Sequence, residues 1–409
     1  MALPAACLAL GALALPALAG QEPALEPIVR AVLEAGAGAP SEETALELER
    51  LAPAALPVFL DLLSREATSS APPLDPAAER ALLLSLAAKI DACRPLLAVR
   101  ARASRPARRA VLGVLEIGGE AQDLRLAAAA AQAERTGGEP DALALALLER
   151  TARAVVEREG KRGCDALRAV YDEAGEELKP RWIRALGDVG SQPALELLGS
   201  WVGRPDEPSL VLVQEIARAA ARLEPPFDAS LRASVRACLS DGSPALRREA
   251  ALAVGRLGDD ESLPLLVALL EGESGPRRNA WWALKAITGR SFREDARPWS
   301  RWVAAEQAWW RDRSGPVLAE LHSADEAVVA AAVQEIATHR YRRHELALEL
   351  SAIAGEGGAD RARLVCSALV QLGSPVARKG LEACLEHEDA DVRQRAAAGL
   401  RSMGGTGGR

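Results

Sequence analysis

The sequence predicts an all-α fold in which paired helices repeat along the chain, and three observations lead to it. Alanine, leucine and arginine dominate the 409 residues, whereas β-branched residues are scarce, and this balance favours helices over strands. Apolar residues recur at three- and four-residue steps, which is typical of one helix face. The pattern returns after roughly 30 residues, the signature of a solenoid in which each helix pair buries its apolar surface against its neighbours.

The repeat is clearest in residues 243–289. Ser243 followed by Pro244 is typical of an N-cap and a first helical position, because the hydroxyl accepts a free backbone N–H and proline loses no hydrogen bond there. Gly258 is predicted to end this helix in the left-handed conformation. The apolar face of the helix is formed by Leu246, Ala250, Ala253, Val254 and Leu257. The next repeat places Ala280, Leu284 and Ile287 at equivalent positions.

The C-terminal segment DVRQRAAAGLRSMG repeats the same pattern. The shared motif, V-R-x-x-A-A-x-A-L-x-x-[LIM]-G, resembles the bacterial HEAT repeat, including the bilin-lyase-type (PBS lyase) HEAT-like repeats. The match is strong over residues 241–290 and 359–404 and weaker from about residue 41. The resemblance implies a right-handed α-α superhelix, a HEAT/armadillo-like solenoid of about nine to ten helix pairs, and a scaffold role. It names no activity, because one fold serves many functions.

The N-terminal residues 1–19 carry no charged side chain, and Ala17-Leu18-Ala19 fits the small-x-small pattern before a secretory cleavage site. No lysine or arginine lies near Met1, which departs from the usual signal peptide. The alternative interpretation is an apolar first helix of a cytoplasmic solenoid. We expect a signal peptide and export to the periplasm or the extracellular space, with no transmembrane span in the mature chain, since Pro4 and Pro16 disfavour a spanning helix.

Proline and glycine residues, which mark turns and loops, divide the rest of the chain into segments. We expect a linker at 20–40, HEAT-like repeats at 41–290, a tryptophan-rich insert helix at 291–315, further repeats at 316–403 and a glycine-rich disordered tail at 404–409. Helix pairs are predicted at 77–102, 105–135, 141–171, 179–201 and 209–239 before the central unit, and at 325–353 and 360–386, with a last helix at 389–403.

Charge and cysteine usage exclude several classes of function. The net charge of −7 argues against a general nucleic-acid binder, which needs a basic face. Five cysteines follow the predicted signal peptide at wide spacings without a C-x-x-C, so they indicate neither a disulfide framework nor a zinc site. Cys366 and Cys384 are expected on the two helices of one repeat, which leaves a disulfide between them open. The oligomeric state is not predicted.

Two His-Glu pairs raise the question of a metal site. His344-Glu345 is predicted to open a second helix, and His387-Glu388 lies in a turn between repeats. Deoxyhypusine hydroxylase is a HEAT-repeat enzyme that binds two irons with four such pairs; two pairs in these places do not supply that ligand set. Asp389 in the same turn is better explained as an N-cap. We find no nucleophile elbow, phosphate loop or zinc-protease motif, and we expect no catalytic, cofactor-binding or metal-binding residues.

Tryptophan is concentrated in one segment: six of the eight lie between residues 281 and 310. Ile287, Thr288, Gly289, Phe292, Asp295, Trp299 and Trp302 resemble an I-T-G-x-x-F-x-x-D motif with following tryptophans that exported bacterial HEAT proteins carry. Pro298 is predicted to start the insert helix. In one interpretation this helix seals the stack with buried rings. In the other, tryptophan and arginine form a binding surface. The candidate partner-binding residues are Trp282, Arg293, Arg297, Trp299, Trp302 and Trp310.

The favoured function is a non-enzymatic scaffold that binds a protein partner on the concave solenoid face in the cell envelope. The first alternative is a module that binds a glycan or a peptide on the tryptophan and arginine residues; exposed Trp282 and Trp310 rings would favour it. The second alternative is an enzyme of bilin-lyase or metal-hydroxylase type, which would need a pocket of converging acids, histidines or a reactive cysteine.

Overall fold

The computed structural model describes residues 56–64, 76–132 and 141–404. The predicted signal peptide (1–19), the linker (20–40) and residues 405–409 of the predicted tail lie outside these ranges. Within them the regular structure is helical, and neighbouring helices pack as repeated pairs. The prediction of an all-α fold of repeated helix pairs is confirmed. No helix in the described part of the chain combines the length and the apolar character that crossing a membrane requires.

The chain forms two compact units, and the first ends at Val189. Its described helices are α1 (Leu56–Leu63), α2 (Pro76–Ala87), α3 (Ile90–Arg100), α4 (Arg105–Gly118), α5 (Leu124–Ala131), α6 (Ala142–Glu159), α7 (Lys161–Tyr171) and α8 (Lys179–Val189). Helices α2, α4, α6 and α8 pack side by side in that order, and α5 and α7 pack against this row. Small residues bring the helices close, as at Gly163, where an added methyl group would lie 2.9 Å from the Cα of Val156.

The first unit shows how local sequence sets the ends of its helices. Asp141 accepts hydrogen bonds from the backbone N–H groups of Leu143 and Ala144 and so caps α6. Gly160 ends the same helix at a φ of 54°, a value that glycine adopts without a Cβ clash. Arg94 of α3 forms ion pairs with Asp123, 2.9 Å away, and with Glu120. These contacts join one helix pair to the turn of the next.

The second unit begins at Gly190. Its helices are α9 (Gln192–Trp201), α10 (Ser209–Ala220), α11 (Ala229–Ala237), α12 (Pro244–Leu257), α13 (Leu263–Leu269), α14 (Ser274–Thr288), α15 (Ala296–Asp312), α16 (Ser314–Glu320), α17 (Glu326–Thr338), α18 (Arg343–Ala352), α19 (Ala359–Leu372), α20 (Arg378–Cys384) and α21 (Ala390–Gly404). Helices α10, α12 and α14 pack in one row, and α17, α19 and α21 pack in another. Between these rows α15 packs on α13 and α16, and α16 packs on α17.

The helices of the central repeat begin and end with the predicted types of capping residue. The Ser243 hydroxyl accepts the backbone N–H of Leu246, and Pro244 occupies the first turn of α12. Gly258 and Gly289 end α12 and α14 in the left-handed conformation, with φ of 63° and 68°. The predicted face of α12 is buried throughout. Propensity and capping in this segment agree with the tertiary packing, which explains why the repeat is so clear in the sequence.

One local prediction changes, and the cysteine pairing that the sequence left open is resolved. Helix α15 begins at Ala296 instead of Pro298, because the carboxylate of Asp295 accepts the backbone N–H of Arg297 and caps the helix two residues earlier. Cys366 and Cys384 lie in contact on α19 and α20 as predicted, but both are free buried thiols. The Cys384 thiol donates to the Ala354 carbonyl at 3.1 Å, and the hydrogen bond with Cys384, together with burial, raises the pKa of Cys366.

Candidate binding surface at the tryptophan insert

Helix α14 presents a stripe of basic and aromatic side chains away from its packed face. Arg278, Trp281, Trp282 and Lys285 are spaced three and four residues apart and therefore share one side of the helix. The ring of Trp282 is 39% exposed. It lies over Gly255 of α12, where an added methyl group would approach Trp282 Cζ3 to 2.7 Å. Because Gly255 has no Cβ, the large Trp282 ring has room to lie against α12 at the surface.

Trp281 connects the stripe to the loop that follows α14. Its indole N–H donates to the carbonyl of Phe292 at 2.8 Å. The Lys285 ammonium lies 3.5 Å from the centre of the Trp281 ring, in cation–π contact. The loop residue Arg293, next to Phe292 in the chain, is exposed. Trp281 thus attaches the loop to helix α14.

Behind the loop, three aromatic rings form a small cluster that holds α15 in place. Phe292 meets Trp299 and Trp302 edge-on, with ring centres 5.0 and 6.4 Å apart. Trp299 is fully buried, and its indole N–H donates to the carbonyl of Arg293 at 3.1 Å. Trp302 is half-buried against Trp299. Edge-to-face packing of this kind stabilises a fold beyond the burial of area alone.

The far end of α15 is tied to the turn between α17 and α18. Trp309 stacks on His339 with ring centres 3.7 Å apart, and its N–H donates to Glu335 at 2.8 Å. Trp310 meets Tyr341 edge-on, and the guanidinium of Arg342 lies 4.9 Å from the Trp310 ring centre. Both tryptophans are half-buried. These contacts support the interpretation of α15 as a packed structural element.

Two buried carboxylates hold that turn by its backbone. Glu306 of α15 accepts the N–H groups of Arg340 at 2.8 Å and Tyr341 at 3.0 Å. Asp260, in the turn between α12 and α13, accepts the N–H of Arg342 at 2.9 Å. Arg342 has a φ of 54°, unusual for a residue with a side chain, and the carboxylates on either side hold it there. Neither carboxylate stood out in the sequence, because its partners lie 34 and 82 residues away.

Burial perturbs the ionisable groups beside this turn. It raises the pKa of Asp260 to about 7. Burial, together with the charge of Arg343, lowers the pKa of His344 to about 3. The His344 ring lies 2.8 Å from the Ser374 hydroxyl through Nδ1 and rests against Gly258. Burial therefore favours the neutral form of His344, whose ring packs between Ser374 and Gly258.

Arg343 fills the space between two helix ends. Its guanidinium donates to the carbonyls of Ala286 at 2.6 Å and Gly373 at 3.1 Å, near the C-termini of α14 and α19. It lies against the left-handed Gly289, where an added methyl group would come within 3.1 Å of its Nη1. A cation at helix C-termini satisfies carbonyls that have no partner in the helix. The contacts of Arg343 with these carbonyls thus have a structural explanation.

The remaining chemistry-bearing residues have local structural partners. His387 accepts the N–H of Asp389 through Nδ1 at 3.0 Å, and Asp389 accepts the N–H groups of Asp391 and Val392. The prediction that Asp389 caps the last helix is confirmed. Across the part of the chain that the structure describes, no three His, Cys, Asp or Glu side chains lie together in a way that could hold a metal ion.

Exposure divides the six candidate partner-binding residues. Trp282, Arg293 and Arg297 are exposed. Trp302 and Trp310 are half-buried. Trp299 is fully buried and faces the interior of the insert, so its ring is not available to a partner. Sequence reasoning missed Arg278 and Lys285, although their spacing from Trp282 along a helix was a sufficient signal.

A comparison with protein families supports the repeat pattern over part of the chain. A family model for HEAT repeats matches residues 206–285. The match covers α10 to α13 and most of α14 and ends before the tryptophan insert. It supports the resemblance to HEAT repeats where the sequence pattern is clearest. No curated protein matches the sequence.

Several solved structures share similarity over much of the chain. An engineered protein is 15% identical, with 85% of this chain and 98% of that chain covered and a TM-score of 0.33. The complex of CpcE and CpcF of phycocyanin lyase from Nostoc sp. is 17% identical, covers 68% of this chain and 94% of that chain, and has a TM-score of 0.30. Kap121p is 12% identical, with 96% and 51% covered and a TM-score of 0.42.

Proposed function

We propose that this chain is a non-enzymatic HEAT-repeat scaffold that binds a protein partner through the surface around α14 and the following loop. The observation that carries the proposal is Trp282, a large ring exposed beside basic side chains on a regular helix. Tryptophan and arginine are the residues most enriched at the centres of protein interfaces. Arg293 and Arg297, which are exposed, and Trp302 and Trp310, which are half-buried, belong to the same proposal, whereas Trp299 is buried.

The site of action belongs to the same proposal. The residues at positions 1–19 have the composition of a secretory signal, so we propose the cell envelope as the compartment. The concave face of the repeat array as the location of the partner stays a prediction. N-terminal sequencing of the protein purified from its native cells tests the export step: a mature chain beginning near Gly20 supports it, and an intact N-terminus in the cytoplasm contradicts it.

The binding proposal is tested by cross-linking capture from native envelope extract. Residues 20–409 are compared with a Trp282→Ala/Arg297→Ala double variant and with a matched control, Arg184→Ala, an exposed arginine on α8. We expect one protein to be captured by the parent chain and the control and lost from the double variant at unchanged helical content. Equal capture by all three chains would place the interface elsewhere.

A ligand-binding module is the second candidate, and the exposed face of Trp282 is the observation that favours it, since sugars and peptides stack on such rings. Titration of the parent chain with envelope glycans, followed by tryptophan fluorescence, distinguishes the two. Saturable binding that disappears in Trp282→Ala supports the module. The enzyme alternative would gain support from stoichiometric iron in the purified protein.

A further inference from the structure

Four exposed arginines around the insert differ from the other arginines near them. Arg278, Arg293, Arg297 and Arg301 make no ion pair and no side-chain hydrogen bond with any residue that the structure describes. Neighbouring arginines do have partners: Arg247 pairs with Glu273, Arg248 with Glu249 and Arg313 with Glu335. The surface therefore keeps guanidinium groups whose donors are fully available.

The local charge is opposite to that of the whole chain. Residues 278–301 contain six basic and two acidic side chains, a net charge of +4, whereas the chain carries −7. One of the two acids, Asp295, is engaged in capping α15. Positive charge that is concentrated in one place on an acidic protein attracts a negatively charged partner and steers its approach.

The arrangement combines this charge with an apolar platform. Arg278 precedes Trp282 by one helical turn on α14, and Arg293 lies next to the carbonyl that accepts the Trp281 N–H. Lys285 already covers the ring of Trp281, so Trp282 is the ring left open. From Arg278 to Lys285 the stripe is ~10 Å long. A short peptide is enough to cover it.

We propose that α14 and the following loop bind an acidic segment of the partner protein. Its carboxylates pair with Arg278 and Arg293, and an apolar side chain packs on the exposed face of Trp282. Arginine suits this role because its planar guanidinium forms paired hydrogen bonds with carboxylates. The inference rests on the proposed protein-binding function and specifies the chemistry of what is bound.

An acidic peptide fits better than a nucleic acid. A nucleic-acid interface needs a basic face that follows many phosphates, whereas this surface is one helical stripe and a loop on a chain of net charge −7. The single open ring provides one apolar contact, not a series of stacking platforms. Binding of an oligonucleotide in place of the acidic peptide is therefore one of the outcomes that the experiment distinguishes.

The experiment measures binding of a fluorescent peptide to the full chain by anisotropy. The probe is a peptide of about six residues, five glutamates around one leucine, which spans ~20 Å when extended. The matched peptide has lysine in place of each glutamate, and a single-stranded oligonucleotide of equal charge is the third probe. We expect binding of the acidic peptide only, with an affinity that falls as salt is added.

Variants locate the site. Arg278→Glu and Arg293→Glu are each expected to weaken the acidic peptide by roughly tenfold or more, and Trp282→Ala to weaken it through the lost apolar contact. Arg184→Glu on α8 is the matched control and is expected to bind as the parent does. Circular dichroism confirms that each variant is folded. Binding that is unchanged in Arg278→Glu and Arg293→Glu overturns the proposal, as does preference for the oligonucleotide or the lysine peptide.

Failure here is distinguishable from failure of the proposed function. If the chain captures a native protein but the acidic peptide neither binds nor competes for that protein, the scaffold role stands and the acidic-segment inference is wrong. If the parent chain captures no protein at all, the proposed function is wrong.

Discussion

At the scale of single residues, Gly255 shows how a missing side chain positions the candidate surface. It lies in α12 against α14, where an added methyl group would come within 2.9 Å of the Cα of Ala283 as well as close to Trp282. The backbone of α14 is fixed by its own helix, so it cannot move away to make room. The glycine at position 255 thus accounts both for the close approach of α12 and α14 and for the place of the Trp282 ring at the surface.

We predict that Gly255→Ala lowers the free energy of unfolding by about 1–3 kcal/mol, in spite of the better helix propensity of alanine, because the packed interface has no room. Urea denaturation followed by circular dichroism measures it. The control is Gly242→Ala, at a position where an added methyl group meets no atom within 4 Å. Gly255→Ala as stable as the parent would mean that α12 and α14 separate easily.

Two adjacent aspartates at the turn after α12 have opposite roles. Asp259 is buried and forms a two-point ion pair with Arg236, with both N···O distances at 2.7 Å. Asp260 is buried beside it with a backbone N–H as its hydrogen-bond donor. Burial raises the pKa of Asp260 from 3.8 to about 7. Burial therefore disfavours the charged form of Asp260, whereas the buried Asp259 has a cationic partner.

We predict that Asp260→Asn stabilises the protein at pH 8. A carboxyl whose folded pKa is raised contributes stability below its unfolded pKa of 3.8, and this stability is lost as the pH rises through about 7. The amide still accepts the Arg342 N–H and carries no charge, so the gain at pH 8 is on the order of 2–4 kcal/mol and shrinks toward pH 4. Thermal unfolding across this pH range measures it.

The control for that prediction is Asp259→Asn, which breaks the ion pair with Arg236 and should destabilise the protein at pH 8. An Asp260→Asn variant that is less stable than the parent at pH 8 would show that the carboxylate form is needed to hold the turn.

At the scale of elements, the insert helix α15 determines the path of the chain between two sets of regular repeats. Its aromatic residues bind it to the loop on one side and to the α17–α18 turn on the other. Glu306 of this helix also accepts two backbone N–H groups of the α17–α18 turn, of which that of Tyr341 is buried and that of Arg340 is partly buried. A buried N–H without an acceptor costs about 1–3 kcal/mol.

Glu306→Ala is therefore expected to destabilise the protein by about 2–4 kcal/mol, since it leaves both N–H groups without an acceptor. Hydrogen exchange is expected to be faster at Arg340 and Tyr341 than in the parent. Glu382→Ala, an exposed glutamate on α20, is the control. Unchanged exchange at both amides would show that water or another group replaces the carboxylate.

At the scale of the whole molecule, contacts join mainly neighbouring helices, as expected for a repeat protein. The second unit has its own buried core, which includes a continuous apolar cluster from Val317 to Ala396. The part matched by the HEAT-repeat model lies within this unit.

We predict that the fragment 206–404, which begins just before α10, folds on its own as a helical protein. Stability in stacked repeats comes from contacts between neighbours, and several helix pairs remain. Circular dichroism and a cooperative urea transition test it. We expect a lower midpoint than in the full chain, because α10 and α11 lose their contacts with α9. A fragment without a cooperative transition would show that folding depends on more distant segments.

Local sequence was sufficient to predict the helices and their ends. Capping chemistry acts over a few residues and is therefore visible in the chain itself. It explains the residues at four helix ends: Ser243, Gly258, Gly289 and Asp389. The apolar spacing of α12 predicted its buried face for the same reason. The repeat pattern gave the class of fold, since each pair needs a similar neighbour to cover it.

Tertiary structure alone decided which tryptophans are exposed and which groups hold the turn at 339–342. Trp282 and Trp299 are the same residue type in one segment, yet one is exposed beside Gly255 and the other is buried under Phe292. Glu306 and Asp260 reach their backbone partners from 34 and 82 residues away. Burial and partners at such separations depend on how the helices stack, and a pattern read over one or two helical turns does not contain that information.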